Sequence, residues 1–94
     1  MLVERSYMLA KGGSEDVFAQ VMAEKAVPLL EGLEGVRKVS FARGIEAPDK
    51  FILLIEWAGM DPHIAFTKLP VFADFRALLS PHTRGGEMEH FDMQ

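Results

Sequence analysis

The sequence predicts an α+β domain whose elements run β-α-β-β-α-β. Three observations carry this reading. Apolar residues alternate or run continuously in four segments of strand length, and they recur at helical spacing in two others. Glycine- and proline-containing clusters separate the segments. The chain has 94 residues, 49% hydrophobic and 26% charged, which is room for one core and one domain, residues 1–94. The order is that of the ferredoxin-like split βαβ pattern, an antiparallel sheet with two helices on one face.

Leu2 to Ala10 reads as the first strand, with Val3, Arg5, Tyr7 and Leu9 on one face and Leu2, Glu4, Ser6 and Met8 on the other. Lys11-Gly12-Gly13 ends it. Ser14 is a natural N-cap, and Glu15 and Asp16 fall in the first helical turn, where the helix dipole favours negative charge. Val17, Phe18, Val21, Met22 and Ala26 follow at helical spacing, Pro28 is expected to kink or interrupt the helix, and Gly32 or Gly35 stops it. Val36 to Arg43 is the second strand, Gly44 to Asp49 a turn, and Phe51 to Trp57 the third strand. Asp61-Pro62 reads as an N-cap followed by proline at the first helical position. The helix it opens runs through Phe66 and Lys68. Pro70 divides it from a second stretch with Val71, Phe72, Phe75, Leu78 and Leu79 on one face, which Ser80-Pro81 ends. Gly85-Gly86 opens the last strand, Glu87 to Asp92.

Phe51-Ile52-Leu53-Leu54-Ile55 makes both faces of the third strand apolar. Two helices cover only one face of such a sheet, so the other face needs a cover. A second copy of the same sheet is the simplest one, which predicts a homodimer joined sheet to sheet.

Composition excludes several classes. Without cysteine there is no disulfide, zinc–thiolate site or cysteine nucleophile. A net charge of −4 argues against nucleic acid, and no apolar run is long enough to span a bilayer. The first five residues already carry Glu4 and Arg5, with no signal-peptide core, so a cytoplasmic protein is expected. The three histidines lack a metal-ligand spacing such as His-Glu-x-x-His, and no metal site is expected. Gly12-Gly13-Ser14 lacks the spacing of a phosphate-binding loop and reads as a turn and cap.

Several stretches together resemble the antibiotic biosynthesis monooxygenase family of dimeric α+β barrels. They are the opening strand, Gly13-Ser14-Glu15-Asp16-Val17-Phe18, Phe51 to Trp57, Asp61-Pro62-His63, Phe72-Ala73-Asp74-Phe75-Arg76 and Glu89-His90-Phe91. The resemblance implies a pocket between sheet and helices in each subunit. It also implies oxidation of phenolic, quinol or polyketide-like molecules by dioxygen, in some members with no metal or flavin. Relatives on the same fold degrade haem, isomerise lactones or process signalling molecules, so the fold does not settle the reaction. The haem-degrading members use an asparagine, and this chain has none.

Cofactor-free oxygenation requires a base, a dry pocket for a flat substrate, and donors for the developing charge. His63, in the first turn of the second helix, is the candidate base, since a helix N-terminus favours neutral imidazole. Trp57 matches the family's tryptophan and reads either as a stacking platform or as a core residue. Arg5 and Tyr7 are candidate charge stabilisers, with a salt bridge from Arg5 to Glu56 or Glu89 as the alternative. Phe66 and Phe72 are candidate pocket walls, and His90 joins either the pocket or the dimer interface. His82 and Arg76 are expected in solvent. Two further readings stay open: a non-catalytic ligand-binding dimer, and an isomerase or lactone-processing enzyme on the same barrel.

Overall fold

The computed structural model of the chain describes residues 1–94. Strands β1 (Leu2–Ala10), β2 (Val36–Arg43), β3 (Lys50–Trp57) and β4 (Thr83–Asp92) form one antiparallel sheet in the order β2-β3-β1-β4. Helices α1 (Glu15–Val21), α2 (Val27–Glu31), α3 (Met60–Thr67) and α4 (Pro70–Leu79) pack on one face. This is the ferredoxin-like arrangement that the element order predicts. No helix is long and apolar enough to cross a membrane.

The strand period of two sorts β3 cleanly. Phe51, Leu53, Ile55 and Trp57 turn to the helices and are at most 2% exposed, while Ile52 and Leu54 lie half-buried on the opposite face. From α1 and α2, with the turn that joins them, Phe18, Met22, Ala26 and Leu30 close the core at 0% exposure. These four repeat every fourth residue, which on an α-helix of 3.6 residues per turn drifts by about 40° per step. A π-helical turn at Met22–Ala26 takes up the drift and holds the stripe on the sheet. The same wide turn carries the chain past Pro28, which lacks an N–H, so helical turns run on where a kink or an interruption was expected.

Two other boundaries differ from expectation, and Ser14, which does hold the N-cap position of α1, lacks the expected capping bond. The Gly13 N–H donates to the Glu15 carboxylate instead. Helix α3 starts at Met60 after Gly59, so Asp61 and Pro62 lie inside its first turn. Strand β4 begins at Thr83 and contains Gly85 and Gly86, because a Cβ on Gly86 would collide with the Tyr7 carbonyl and its absence lets β4 close on β1. Gly35 does similar work at the other end of the sheet. Its φ of +84° turns the chain into β2, and its bare Cα admits the Pro62 ring, which fixes the start of α3.

Candidate active site

Register brings together side chains that are far apart in sequence. On β1, Glu4 stands opposite Ile55 of β3 and opposite His90 of β4, with Trp57 its diagonal neighbour. His63 reaches the same point from the first turn of α3, directed by the Gly35–Pro62 contact. The carboxylate is the centre of this cluster. Its Oε1 accepts the Trp57 Nε1–H at 3.1 Å and its Oε2 accepts the Ser6 hydroxyl at 3.2 Å. His63 Nδ1 lies 3.1 Å and His90 Nε2 3.8 Å from the same Oε1. The His63 contact is short but off the axis an aligned N–H bond needs, and neither nitrogen has another hydrogen-bond partner. The rings pack edge to face, His63 on His90 at 4.4 Å and on Trp57 at 5.3 Å.

Glu4 is 6% and His63 7% exposed. Burial holds the His63 imidazole below its ordinary value of 6.5; the Glu4 carboxylate opposes that shift, and the His90 ring adds to it. His63 is therefore neutral at pH 7. Its Nδ1 is sealed from solvent beside the carboxylate, so Nε2 is the nitrogen the ring can present to the space it borders.

That space is a cavity of about 320 Å³ between β1, β4 and the helices α3 and α4. Glu4, Ser6 and His63 make its polar end, Phe66 and Phe72 part of its apolar wall, and Arg76 its one cationic side chain. Phe66 packs edge to face on Phe72 at 5.2 Å and on Phe75 at 5.9 Å, which makes a rigid aromatic wall suited to a flat guest.

The residues expected at a site divide accordingly. His63, Phe66 and Phe72 border the cavity together. Trp57 is 1% exposed and does not line it, so no ring face is free for stacking; its N–H holds Glu4 in place. His90 faces the helices and joins the cluster behind the cavity wall. Arg5 is on the opposite face of the sheet in a 2.7 Å salt bridge with Glu89, so it cannot stabilise charge in this cavity. Tyr7 borders the cavity as part of β1, but its ring lies on that opposite face, 4.6 Å from the Lys50 ammonium. Arg76, expected to lie in solvent, is exposed but stands at the cavity's edge with its guanidinium 5.8 Å from the Phe72 ring. His82 packs half-buried near Phe18, at 6.3 Å, away from the cluster. Glu4 and Ser6 are not among the residues expected at a site. The signal was present: a carboxylate among Leu2, Ser6 and Met8 on a helix-covered face must find partners there. The absence of a metal-ligand spacing is also a local criterion only, since Glu4, His63 and His90 converge from β1, α3 and β4 with their ligating atoms within 4.8 Å of one another.

Fold and cavity define a class: a small ferredoxin-like α+β domain holding an apolar pocket between sheet and helices, with a carboxylate–histidine pair at one end. A family model for antibiotic biosynthesis monooxygenases matches residues 1–78, and the chain belongs to that family. It is 28% identical over 93 residues to the uncharacterized protein YczJ of Bacillus subtilis (strain 168), covering 97% of both chains. A crystal structure from Bordetella bronchiseptica, assigned to the antibiotic biosynthesis monooxygenases, superposes with a TM-score of 0.89 at 26% identity, covering 99% of this chain and 96% of that one. SnoaB, a cofactor-independent oxygenase from Streptomyces nogalater, shares the fold at a TM-score of 0.86 and 14% identity, covering 99% of this chain and 92% of that one.

Proposed function

We propose that the protein is a cofactor-independent monooxygenase that oxidises a small, flat phenolic, quinol or polyketide-like molecule with dioxygen, and that His63 is its base. The observation that carries this reading is the buried, neutral His63 at the polar end of an aromatic-walled cavity, with the Glu4 carboxylate at its Nδ1. Family membership, and the shared fold of the oxygenase SnoaB, support this class of reaction.

The negative charge of the carboxylate beside Nδ1, although no aligned hydrogen bond joins them, favours the tautomer with the ring proton there and the lone pair on Nε2. Nε2 takes a proton from an activated methylene or phenol, and Glu4 stabilises the imidazolium that forms. The substrate anion passes an electron to dioxygen, and the two radicals combine as a peroxide anion. His63 returns its proton to that anion. For an activated methylene, loss of water then leaves a carbonyl, so one oxygen atom enters the product and the other leaves as water. Phe66 and Phe72 hold the ring system and exclude water, and Arg76 faces negative charge at the cavity's edge. Glu4 and Trp57 are positioning residues in this scheme.

The active form is a homodimer joined through the sheet face opposite the helices. Val3, Leu54 and Phe91 line a groove on that face, and Phe91 is 46% exposed in the single chain. Burying each such side chain contributes about 1.5–3 kcal/mol.

Turnover of an anthrone, whose activated methylene becomes a carbonyl, under isotopically labelled dioxygen tests the reaction. One labelled atom in the product and one in water is the expected result. Turnover without oxygen consumption would instead assign the same His63 to an isomerase.

A further inference from the structure

We infer that Glu4, His63 and His90 form a binding site for one divalent transition-metal ion per chain. The protein has two buried side-chain polar atoms without a hydrogen-bond partner, His63 Nδ1 and His90 Nε2. Both lie beside the same Glu4 oxygen, at 3.1 and 3.8 Å, without a hydrogen bond to it. Buried polar atoms are nearly always satisfied, so two orphaned ring nitrogens converging on one carboxylate oxygen require an explanation. His63 is the stronger indicator, with its side chain 8% exposed and its nitrogen aimed into the cluster. A cation between the three atoms satisfies all of them at once.

The geometry is close to that of a coordination sphere. Metal–nitrogen and metal–oxygen bonds of about 2.0–2.1 Å at tetrahedral angles place ligand atoms about 3.4 Å apart. The Glu4–His63 separation of 3.1 Å already fits, and the Glu4–His90 separation of 3.8 Å needs a shift of about half an ångström. His90 can supply that shift, because β4 is an edge strand and the His90 side chain is 24% exposed. Outer partners are in place, with Trp57 Nε1–H on Oε1 and the Ser6 hydroxyl on Oε2 orienting the carboxylate. Two imidazoles and one carboxylate select zinc, cobalt, nickel, copper or ferrous iron over magnesium and calcium. Three protein ligands leave a fourth position for water.

Ion binding stands independently of the monooxygenase reading. One consequence does rest on it: an ion on Nδ1 leaves the ring proton on Nε2, so occupancy silences the base and the metal inhibits turnover.

The test is a titration of substrate-free, chelator-treated protein with Co²⁺, followed by visible d–d absorption, with Zn²⁺ competition. The expected result is one ion per chain, displaced by Zn²⁺, with Kd raised more than about tenfold in His90→Ala and in Glu4→Gln. His82→Ala, which alters a histidine outside the cluster, leaves Kd unchanged. If Glu4→Gln fails to fold, His90→Ala, on an edge strand and at a partly exposed side chain, decides alone. Absence of the absorption band at millimolar Co²⁺, or a band that survives His90→Ala at the same Kd, overturns the inference.

Discussion

Replacing Glu4 by glutamine separates a positioning carboxylate from a merely structural one. The two side chains have nearly the same shape, and glutamine can keep both outer hydrogen bonds. Trp57 Nε1–H only donates, so the amide oxygen takes its place at 3.1 Å, and the amide nitrogen then meets the Ser6 hydroxyl, which can accept. What is lost is charge. A hydrogen bond to a charged group contributes about 1.5–3 kcal/mol and a neutral one about 0.5–1.5, while removing a buried charge recovers part of the desolvation cost. The net loss of stability is about 1–2 kcal/mol, or roughly 5–15 °C in Tm for a domain of this size. The effect on turnover is larger. Without the carboxylate the His63 proton is free to move to Nε2 and the imidazolium has no counter-charge, so kcat falls by about 10²-fold or more, near 2.7 kcal/mol of barrier. Glu4 raises the His63 pKa against burial, so its removal moves the acid limb of kcat/KM to lower pH. Steady-state kinetics across pH on chelator-treated protein, with NMR titration of the His63 ring, read both effects. An unchanged kcat together with an unmoved acid limb in a folded variant refutes the role given to Glu4.

Four further outcomes follow from the same structure. Because burial holds folded His63 below 6.5, while Glu4 from β1 and His90 from β4 are the titratable groups facing it, the unfolded chain binds the extra proton first; stability is full above about pH 6.5, is lost as pH falls through the lower folded value, and this slope shrinks in His63→Gln by denaturant unfolding. Gly86→Ala forces a Cβ against the Tyr7 carbonyl and costs about 1–3 kcal/mol, read as a lower urea midpoint with frayed β4 amides in hydrogen exchange. Leu54→Glu places a charge on the half-buried outer face of β3 and disrupts the proposed homodimer, converting a species of twice the 10.5 kDa chain mass into monomer in light scattering. Arg76→Ala leaves Tm unchanged, since the side chain is exposed, and raises KM for phenolate-forming substrates by about tenfold at most.

The fold was legible because its signals are local. The continuous run from Phe51 to Ile55 marks a strand apolar on both faces, and the glycine and proline clusters mark where elements end. The four-residue stripe of Phe18, Met22, Ala26 and Leu30 was legible as a helix, but not as one relieved by a π turn, because that depends on holding all four against a flat sheet. The site was legible in part. His63 could be placed in the first turn of a helix from Asp61-Pro62, and Phe66 and Phe72 from helical spacing. Arg5 was grouped correctly with Val3, Tyr7 and Leu9. Both faces of β1 carry apolar residues, however, so the strand alone could not say which face the helices cover. Glu4 depended on more distant information still. Its partners sit on β3, β4 and α3, and their convergence is set by two strand registers and by the Gly35–Pro62 contact that aims α3. The type of Trp57 suits stacking or the core alike; packing beneath α3 makes it a core residue whose N–H, not its face, meets the site.

The proposed base of an oxygen-consuming reaction in the cavity between sheet and helices is His63. Dioxygen uptake by chelator-treated protein against hydroquinones, anthrones and catechols, compared with His63→Ala, tests this role most directly. Uptake above the protein-free rate is expected, falling to that rate in His63→Ala while circular dichroism and the oligomeric state stay unchanged. Uptake that persists undiminished in the folded His63→Ala variant would contradict this role.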